Sequence, residues 1–174
     1  MMFVLVSSEI LPLDCKDLRD NGYTNTGVYK IYPFENSSRP VRVYCDMITM
    51  DGGWTVIQKR IDGSLSFDRN WTDYKNGFGD PAQNVWIGDR MLKTRNAKTV
   101  LSGMYFSTPD RDNDGWSDRS CAAYSNKRGG WWFNACHHAY LNGLWSSRYW
   151  LNPWSPTVTS ATFVTETMML IKRH

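Results

Sequence analysis

The sequence contains no hydrophobic run long enough to cross a membrane. Its longest strongly apolar stretches, FVLV near the beginning and MMLI near the end, are far shorter than the ~20 residues that a transmembrane helix needs. We therefore expect no membrane insertion. The opening MMFVLVSSEILP also lacks a basic region, and its apolar core is too short for a signal peptide. Residues 1–12 are predicted to be a leader or linker that precedes one domain, residues 13–174.

A dense basic surface is also missing from the sequence. Lys and Arg number 20 against 17 Asp and Glu, the net charge is +3, and the basic residues are scattered. Nucleic-acid binding favours a denser basic stripe or a recognisable motif, so none is expected. No Ser/His/Asp arrangement, phosphate-cradling glycine loop or paired-carboxylate cleft has supporting context. The sequence predicts a binding module and not an enzyme.

Cysteine is scarce: four residues occur, without a Cys-x-x-Cys pair, so a zinc ribbon or a thioredoxin-type site is not expected. What the sequence does have is an even cysteine count, nine tryptophans, nine tyrosines and two Asn-x-Ser/Thr sequons, at Asn36 and Asn70. Together these features indicate an oxidising, extracellular setting. We predict a secreted glycoprotein with Asn36 and Asn70 as candidate glycosylation sites.

Regular structure is predicted mainly in the first half of the chain. DCKDLRDNG, residues 14–22, is typical of a helix that Asp14 caps and Gly22 ends. Runs rich in β-branched and aromatic residues predict strands that begin at three positions, Gly27, Val41 and Trp54. Residues 70–80 indicate a helical turn followed by a glycine-rich loop. Trp54 and Trp71 are assigned to the core.

The second half of the chain, from residue 104, is predicted to be mostly irregular. It is dense in Gly, Asn, Trp and Ser, and a last strand is expected at about residues 162–172. Loops of this kind usually need disulfides or metal ions to stay ordered. The expected fold class is α+β.

The stretch DRDNDGWSD, residues 110–118, places four aspartates within nine residues. Asp110, Asp112 and Asp114 match the first half of an EF-hand loop, but position 12 is Cys121 instead of glutamate and the flanks lack helical periodicity. An EF-hand is therefore not expected. Carboxylates this close repel one another unless a counter-charge is present, and calcium accepts carboxylates, backbone carbonyls and water. From the aspartates alone, a calcium loop and a solvated acidic turn both remain open.

Five segments can be read together with this loop: DCKDLRDNGYTNTGVYKIYP, VYCDMITMDGGWTVIQKRIDGSLSFDRNW, FSTPDRDNDGWSDRSC, GGWWFNACHHAYLNGLW and TETMMLIKRH. These segments resemble those of the fibrinogen-like C-terminal domain, a family that includes fibrinogen β and γ chains, angiopoietins, tenascins, ficolins and tachylectins. They cover most of the chain. The resemblance implies an N-terminal disulfide-linked β unit, a central antiparallel sheet and a loop-rich C-terminal part that binds calcium and ligand.

The family's disulfides and calcium site map onto named positions of this chain. The resemblance implies the disulfides Cys15–Cys45 and Cys121–Cys136. It also implies that Ca²⁺ is bound by the carboxylates of Asp112 and Asp114 and by the carbonyls of Trp116 and Asp118. Because the spacing to Cys121 is one residue longer than the common form, Ser117 is the alternative to Asp118.

In the lectin-like members, the ligand binds beside the calcium site, at the peptide bond before the second cysteine and the histidine after it. That bond is often cis. The corresponding residues here are Ala135, Cys136 and His137, with Tyr124, Tyr149 and Trp150 as aromatic walls. Backbone N–H groups would donate to an acetyl oxygen, and calcium would hold the loop without touching the ligand. A hydrogen-bonded core role for His137 stays open. Trp131 and Trp132 are assigned to core packing in preference to sugar stacking.

The chain is shorter than the family pattern at two places, near residues 88–102 and 145–150. The first place normally supplies strands of the central sheet, and the second a loop that completes the pocket. A real shortened domain, a splice or gene artefact and an engineered fragment are the three explanations. The central sheet is accordingly expected to be shortened.

These observations predict an extracellular recognition module that binds Ca²⁺ and acts as a lectin for acetylated carbohydrate groups, such as N-acetyl sugars, in innate immune defence. The alternatives are recognition of a protein ligand, at a receptor surface or a peptide end, and a truncated isoform that binds nothing. A homo-oligomer is a further open alternative, since one domain alone binds sugars weakly.

Overall fold

The structure is a computed structural model, which describes residues 11–34, 39–88, 104–123, 128–136, 140–145 and 165–173. The chain divides into two compact units. The first comprises Met1–Val56 with Leu170–His174, and the second comprises Ile57–Met169.

Helix α1 (Cys15–Asp20) opens the described part of the first unit. Asp14 caps it, because its side chain accepts a hydrogen bond from the Asp17 backbone N–H at 2.9 Å. Gly22 follows the helix at a φ of +89°, a left-handed conformation that glycine adopts without a Cβ clash. Arg173 near the C-terminus forms ion pairs with Asp14 and Asp17. The predicted cap and stop signals are both confirmed.

Three antiparallel strands form the sheet of the first unit: β1 (Gly27–Ile31), β2 (Val41–Asp46) and the beginning of β3 (Trp54–Arg60). β1 and β2 pair over five residues, from Gly27↔Cys45 to Ile31↔Val41, and β2 pairs with β3 through Cys45↔Thr55. The Cys15–Cys45 disulfide links helix α1 to β2. The N-terminal disulfide-linked β unit is therefore confirmed.

The turn between β2 and β3 contains a short 3₁₀ helix, Thr49–Asp51, followed by Gly52. Gly52 has a φ of +73°, and a Cβ there would lie 2.2 Å from the Met47 carbonyl oxygen. Asp46 stabilises this turn, because its carboxylate accepts hydrogen bonds from the backbone N–H groups of Ile48 and Thr49, both at 2.9 Å. Only glycine fits at position 52, because any side chain there would collide with the Met47 backbone.

In the second unit, the end of β3 pairs antiparallel with β5 (Val85–Trp86), and β5 pairs with β4 (Phe78–Gly79). The last strand, β8 (Thr167–Ile171), pairs with β3. It lies within the predicted range 162–172. The predicted helical turn is α2 (Trp71–Asn76), which Asn70 caps by accepting from the Asp73 N–H at 2.8 Å.

A two-stranded ribbon of β6 (Phe106–Ser107) and β7 (Trp131–Trp132) lies in the predominantly irregular part of the second unit. It joins two aromatic clusters. Phe106 and Trp132 contact each other at 4.9 Å between ring centroids and pack with buried rings, namely Phe67, Tyr74 and Trp86. Trp131 packs with Phe133, Tyr140 and the Cys121 side chain. Both tryptophans of β7 therefore contribute to the core, as predicted.

The prediction that Trp54 and Trp71 belong to the core is confirmed for Trp71, which packs against the buried cluster of Phe67, Tyr74, Trp86 and Phe106. The Trp54 and Trp71 side chains are both half-buried, and each lies against a cation. The Lys172 ammonium lies 5.5 Å from the Trp54 ring centroid, and the Arg111 guanidinium lies 4.1 Å from that of Trp71. An indole under a cation keeps its apolar contacts while one part faces solvent.

Candidate functional site

The aspartate loop, residues 110–118, follows β6 and is fixed to it by one asparagine. The Asn113 backbone N–H donates to the Ser107 hydroxyl at 3.0 Å, and its side-chain amide donates to the Phe106 carbonyl at 2.9 Å. Ser107 and Thr108 are fully buried. The loop thus begins from a rigid base and not from a free coil.

Asp112 and Asp114 form the central pair of carboxylates in the loop. Asp112 accepts from the Asp114 backbone N–H at 3.1 Å. Asp114 accepts with both oxygens, from the N–H of Trp116 at 2.8 Å and from that of Cys121 at 2.7 Å. Asp114 is half-buried, whereas Asp112 is exposed. Asp114 therefore fixes the course of the loop, and Asp112 faces solvent beside it.

The charge on Asp114 is incompletely compensated. Burial raises the pKa of its carboxyl above the ordinary value of 3.8, and the nearby Asp112 carboxylate raises it further, although the N–H groups of Cys121 and Trp116 oppose the shift. A bound cation would supply the missing counter-charge. Two adjacent carboxylates in an irregular loop fit a hard cation that takes oxygen ligands, as Ca²⁺ does.

The rest of such a coordination shell would have to come from backbone carbonyls and water. Among the residues that the structure describes, no three Asp, Glu, His or Cys side chains come together to hold a metal ion by themselves. Trp116, Ser117 and Asp118, which the resemblance implies as carbonyl donors, continue the same loop. The Asp118 carboxylate accepts from the Ser117 hydroxyl at 2.9 Å. The carbonyl assignment, including the choice between Ser117 and Asp118, stays a prediction.

Asp110, the first aspartate of the loop, makes contacts outside the loop. Asp110 accepts from the Trp71 backbone N–H at 2.9 Å and from the Thr108 hydroxyl at 2.7 Å. Burial alone would raise the pKa of Asp110, but these hydrogen bonds outweigh it and leave the pKa below the ordinary value. Asp110 therefore joins the loop to the beginning of α2, a role that the sequence did not reveal.

The aspartate loop is bonded directly to the turn formed by residues 134–136. The Gly115 N–H donates to the Asn134 carbonyl at 3.1 Å, and the Asn134 N–H donates to the Cys136 carbonyl at 2.7 Å. The Cys121–Cys136 disulfide joins the same two segments, as the resemblance implies. The Ala135–Cys136 peptide bond is cis, and Ala135 is exposed. The described residues of the two expected sites are thus neighbours in the structure.

Four of the predicted ligand-binding residues fall outside the described residues: Tyr124, His137, Tyr149 and Trp150. The same holds for the sequon at Asn36. Their predicted roles stay predictions. Ala135 and Cys136 are the two pocket residues whose positions the structure gives.

Two buried polar side chains of β3 hold the segment that follows the turn, and the sequence analysis missed both. Arg60 is 3% exposed and donates to the carbonyls of Leu141, at 2.9 Å, and Gly143, at 2.6 Å. Gln58 is fully buried and donates to the Asn142 side-chain oxygen at 3.1 Å. The Arg60 guanidinium also lies 4.4 Å from the Phe67 ring centroid. A glutamine and an arginine at the end of an apolar strand run, WTVIQKR, were the available signal.

Asn142 connects the segment held by Gln58 and Arg60 to the residues before β7. Its side-chain amide donates to the Gly130 carbonyl at 3.0 Å, immediately before β7 begins. At Gly129, with a φ of +144°, a Cβ would lie 2.5 Å from the Asn142 carbonyl oxygen. β3, residues 140–143 and the approach to β7 therefore form one hydrogen-bonded unit around the disulfide loop.

The family model described as the C-terminal globular domain of fibrinogen beta and gamma chains matches residues 11–102 and 88–172 of this chain. Microfibril-associated glycoprotein 4 of Mus musculus is 36% identical over 188 residues, which cover 77% of this chain and 72% of that protein. Angiopoietin-1 of Rattus norvegicus is 33% identical over 180 residues, 75% of this chain and 35% of that protein. The chain spans about a third of the length of the angiopoietins that it matches.

A solved structure agrees with these comparisons. The fibrinogen-like globe domain of human ANGPTL2 superposes with a TM-score of 0.75 at 28% identity, covering 92% of this chain and 99% of that one. Among the described residues, no helix is both long and apolar enough to cross a membrane.

The alignments also bear on the expected internal shortening. For rat angiopoietin-1, 75% of 174 residues is about 131, which is about 49 fewer than the 180 aligned positions. The two matches to the family model overlap at residues 88–102, where the first shortening is expected. Both places, near 88–102 and 145–150, lie almost entirely outside the described residues.

Proposed function

The chain belongs to the family of the C-terminal globular domain of fibrinogen β and γ chains, a family of recognition modules, and we propose that it is an extracellular, calcium-binding lectin for acetylated carbohydrate groups. Its role in this proposal is ligand capture in innate immune defence. It has no catalytic role.

One observation carries the proposal: the aspartate loop and the turn at residues 134–136 are bonded to each other. The link runs from the Gly115 N–H to the Asn134 carbonyl, and the Cys121–Cys136 disulfide closes it covalently. A cation at Asp112 and Asp114 would therefore act on the turn through short, direct connections. Ligand binding at Ala135 and Cys136 would depend on calcium without any contact between the two.

Ca²⁺, when bound, supplies positive charge and a preference for many oxygen ligands. The chain supplies the rest. Asp114 keeps the loop closed through its two backbone hydrogen bonds, and Gln58 and Arg60 hold residues 141–143 behind the turn. In the proposal, backbone N–H groups near Ala135 and Cys136 donate to the acetyl oxygen of the sugar, while aromatic side chains contact its methyl group.

The covalent structure supports the proposed extracellular setting. All four cysteines form disulfides, and disulfides persist in oxidising compartments. The second of them closes the proposed binding region, so a reducing compartment would leave that region without its covalent link.

A protein ligand is the second candidate, and one feature favours it. The guanidinium of Arg111, a residue of the aspartate loop, lies 4.1 Å from the ring centroid of the half-buried Trp71. Arginine and tryptophan are the residue types most enriched among the energetically dominant positions of protein interfaces. A receptor surface or a peptide end would use such a pair, whereas a small acetylated sugar would not need it.

The test of the proposed function is a thermal melt of the non-reduced protein in EDTA, in calcium, and in calcium with N-acetylglucosamine. Calcium at ~100 times its dissociation constant adds ~2.7 kcal/mol to the free energy of unfolding, which corresponds to about 5–10 °C for a domain of this size. A second rise with the sugar, and none with glucose, is expected. A calcium shift without a sugar shift would refute the lectin assignment and leave the protein ligand.

Asp112→Asn provides the matched control for the melt. It keeps a side-chain oxygen for the Asp114 N–H but removes one of the two carboxylates. The expected result is a melt in EDTA no lower than that of the wild type, because the substitution relieves the repulsion between the two carboxylates, together with a reduced calcium shift and a correspondingly weaker response to the sugar. If Asp112→Asn kept the full calcium response, calcium would be bound elsewhere.

A further inference from the structure

Asn70 is exposed, and the oxygen and the nitrogen of its side-chain amide can serve different functions. It stands immediately before α2, and its Oδ1 atom accepts the Asp73 N–H at 2.8 Å. Thr72, the third residue of the Asn70-Trp71-Thr72 sequon, is exposed as well. Within the described part of the chain, the Asn70 Nδ2 atom makes no hydrogen bond.

We propose that Asn70 carries an N-linked glycan in the folded domain and caps α2 at the same time. The two roles use different atoms. A glycosylated asparagine keeps its carbonyl oxygen, which is the atom that accepts from Asp73, while the sugar is attached to the nitrogen. The site is exposed, so the glycan costs the domain no burial of polar groups.

The attachment is a group transfer from a lipid diphosphate-linked oligosaccharide during secretion. The Asn70 Nδ2 atom forms a bond to C1 of the first N-acetylglucosamine. The bond from C1 to the diphosphate oxygen breaks, one Nδ2 proton is lost, and the lipid diphosphate leaves. Residues 70–72 present the asparagine and the threonine that this transfer requires.

The position of Asn70 gives the glycan a consequence for recognition. The next residue, Trp71, donates its backbone N–H to Asp110 of the aspartate loop and lies under the Arg111 guanidinium. The glycan therefore leaves the surface beside the Trp71–Arg111 pair. It would hinder a large protein from docking on that pair, whereas it would leave a small sugar free to reach the turn at residues 134–136.

The experiment is peptide mapping of the protein secreted from eukaryotic cells. Trypsin places the sequons in different peptides, since Asn70 begins residues 70–75 and Asn36 lies between Lys30 and Arg42. Peptide N-glycosidase in heavy-oxygen water converts a glycosylated asparagine to labelled aspartate. Label at Asn70 is expected, and Thr72→Ala removes it. Secreted wild-type protein without label at Asn70 would overturn the proposal.

A second comparison tests the double role and stays informative if one variant fails to be secreted. Asn70→Asp removes the glycan acceptor but keeps an oxygen for the Asp73 N–H, so its melting temperature should equal that of Thr72→Ala, which also lacks the glycan and keeps the Asn70 cap. Asn70→Ala removes the cap as well and should melt about 2–4 °C lower. Equal melting of Asn70→Asp and Asn70→Ala would refute the claim that Asn70 caps α2.

Discussion

Asp114→Asn is predicted to destabilise the domain even without calcium, whereas Asp112→Asn is not. Both Asp114 oxygens accept backbone N–H groups, from Trp116 at 2.8 Å and from Cys121 at 2.7 Å. An asparagine has one carbonyl oxygen, and its amide group is a donor. One of the two N–H groups therefore loses its acceptor and faces a second donor.

The magnitude follows from two opposing contributions. A hydrogen bond to a charged group contributes about 1.5–3 kcal/mol. Removing the charge returns part of this, because burial and the neighbouring Asp112 carboxylate both penalise the ionised form and raise the pKa of Asp114. The net loss should be about 1–2 kcal/mol, or about 2–8 °C in melting temperature for a domain of this length.

The assay is thermal unfolding of both variants and the wild type, non-reduced, in EDTA and in calcium. Asp114→Asn should melt lower than the wild type in both buffers and lose the calcium shift. Asp112→Asn should melt no lower than the wild type in EDTA and show only the reduced calcium shift. Identical melting of the two variants in EDTA would refute the assignment of Asp114 as the residue that closes the loop.

Three further predictions concern pH, the buried arginine and the glycines. Because the folded-state pKa of Asp114 is raised, its ionisation lowers the stability of the fold above that pKa, and acidification removes this cost. Calcium binds the ionised carboxylate, so the calcium-induced rise in melting temperature should shrink as the pH falls through the raised pKa. A rise that does not depend on pH would contradict this. Arg60→Met should cost about 1–3 kcal/mol, because the buried Gly143 carbonyl loses its donor and the half-buried Leu141 carbonyl keeps only Gln58. The loss should appear as a lower urea midpoint with an unchanged slope, and an unchanged midpoint would show the bonds to be dispensable. Gly52→Ala should destabilise by more than Gly22→Ala, since both have positive φ but only the former brings a Cβ against backbone; equal midpoints in urea would exclude the clash.

The part of the fold that could be predicted from sequence is the part that local chemistry determines. Asp14 and Gly22 bracket α1 because capping and a left-handed stop act within a few residues. The long strands β1, β2 and β3 begin where the β-rich runs begin. The two-residue strands β4 to β7 were missed, since two residues are too few for a period and their pairing depends on distant partners.

The candidate site was likewise predictable from the sequence only in part. The sequence identified the aspartates, and the structure shows that their roles differ. Asp114 closes the loop, Asp112 faces solvent and Asp110 binds α2. Gln58 and Arg60 were not identified as buried residues, because a polar residue in a strand usually faces solvent. Their partners lie 81 to 84 residues later in the chain, a distance over which local patterns carry no information.

That same separation has a consequence for how the protein is made. The hydrogen bonds of Arg60 to Leu141 and Gly143 connect residues 81 and 83 positions apart, so they form only after residue 143 has left the ribosome. Contacts of such range demand the closure of a long loop before they contribute any stability. The segment behind the proposed binding turn is therefore assembled late in folding. A chain truncated before residue 141 would contain the aspartate loop without the support of Gln58 and Arg60.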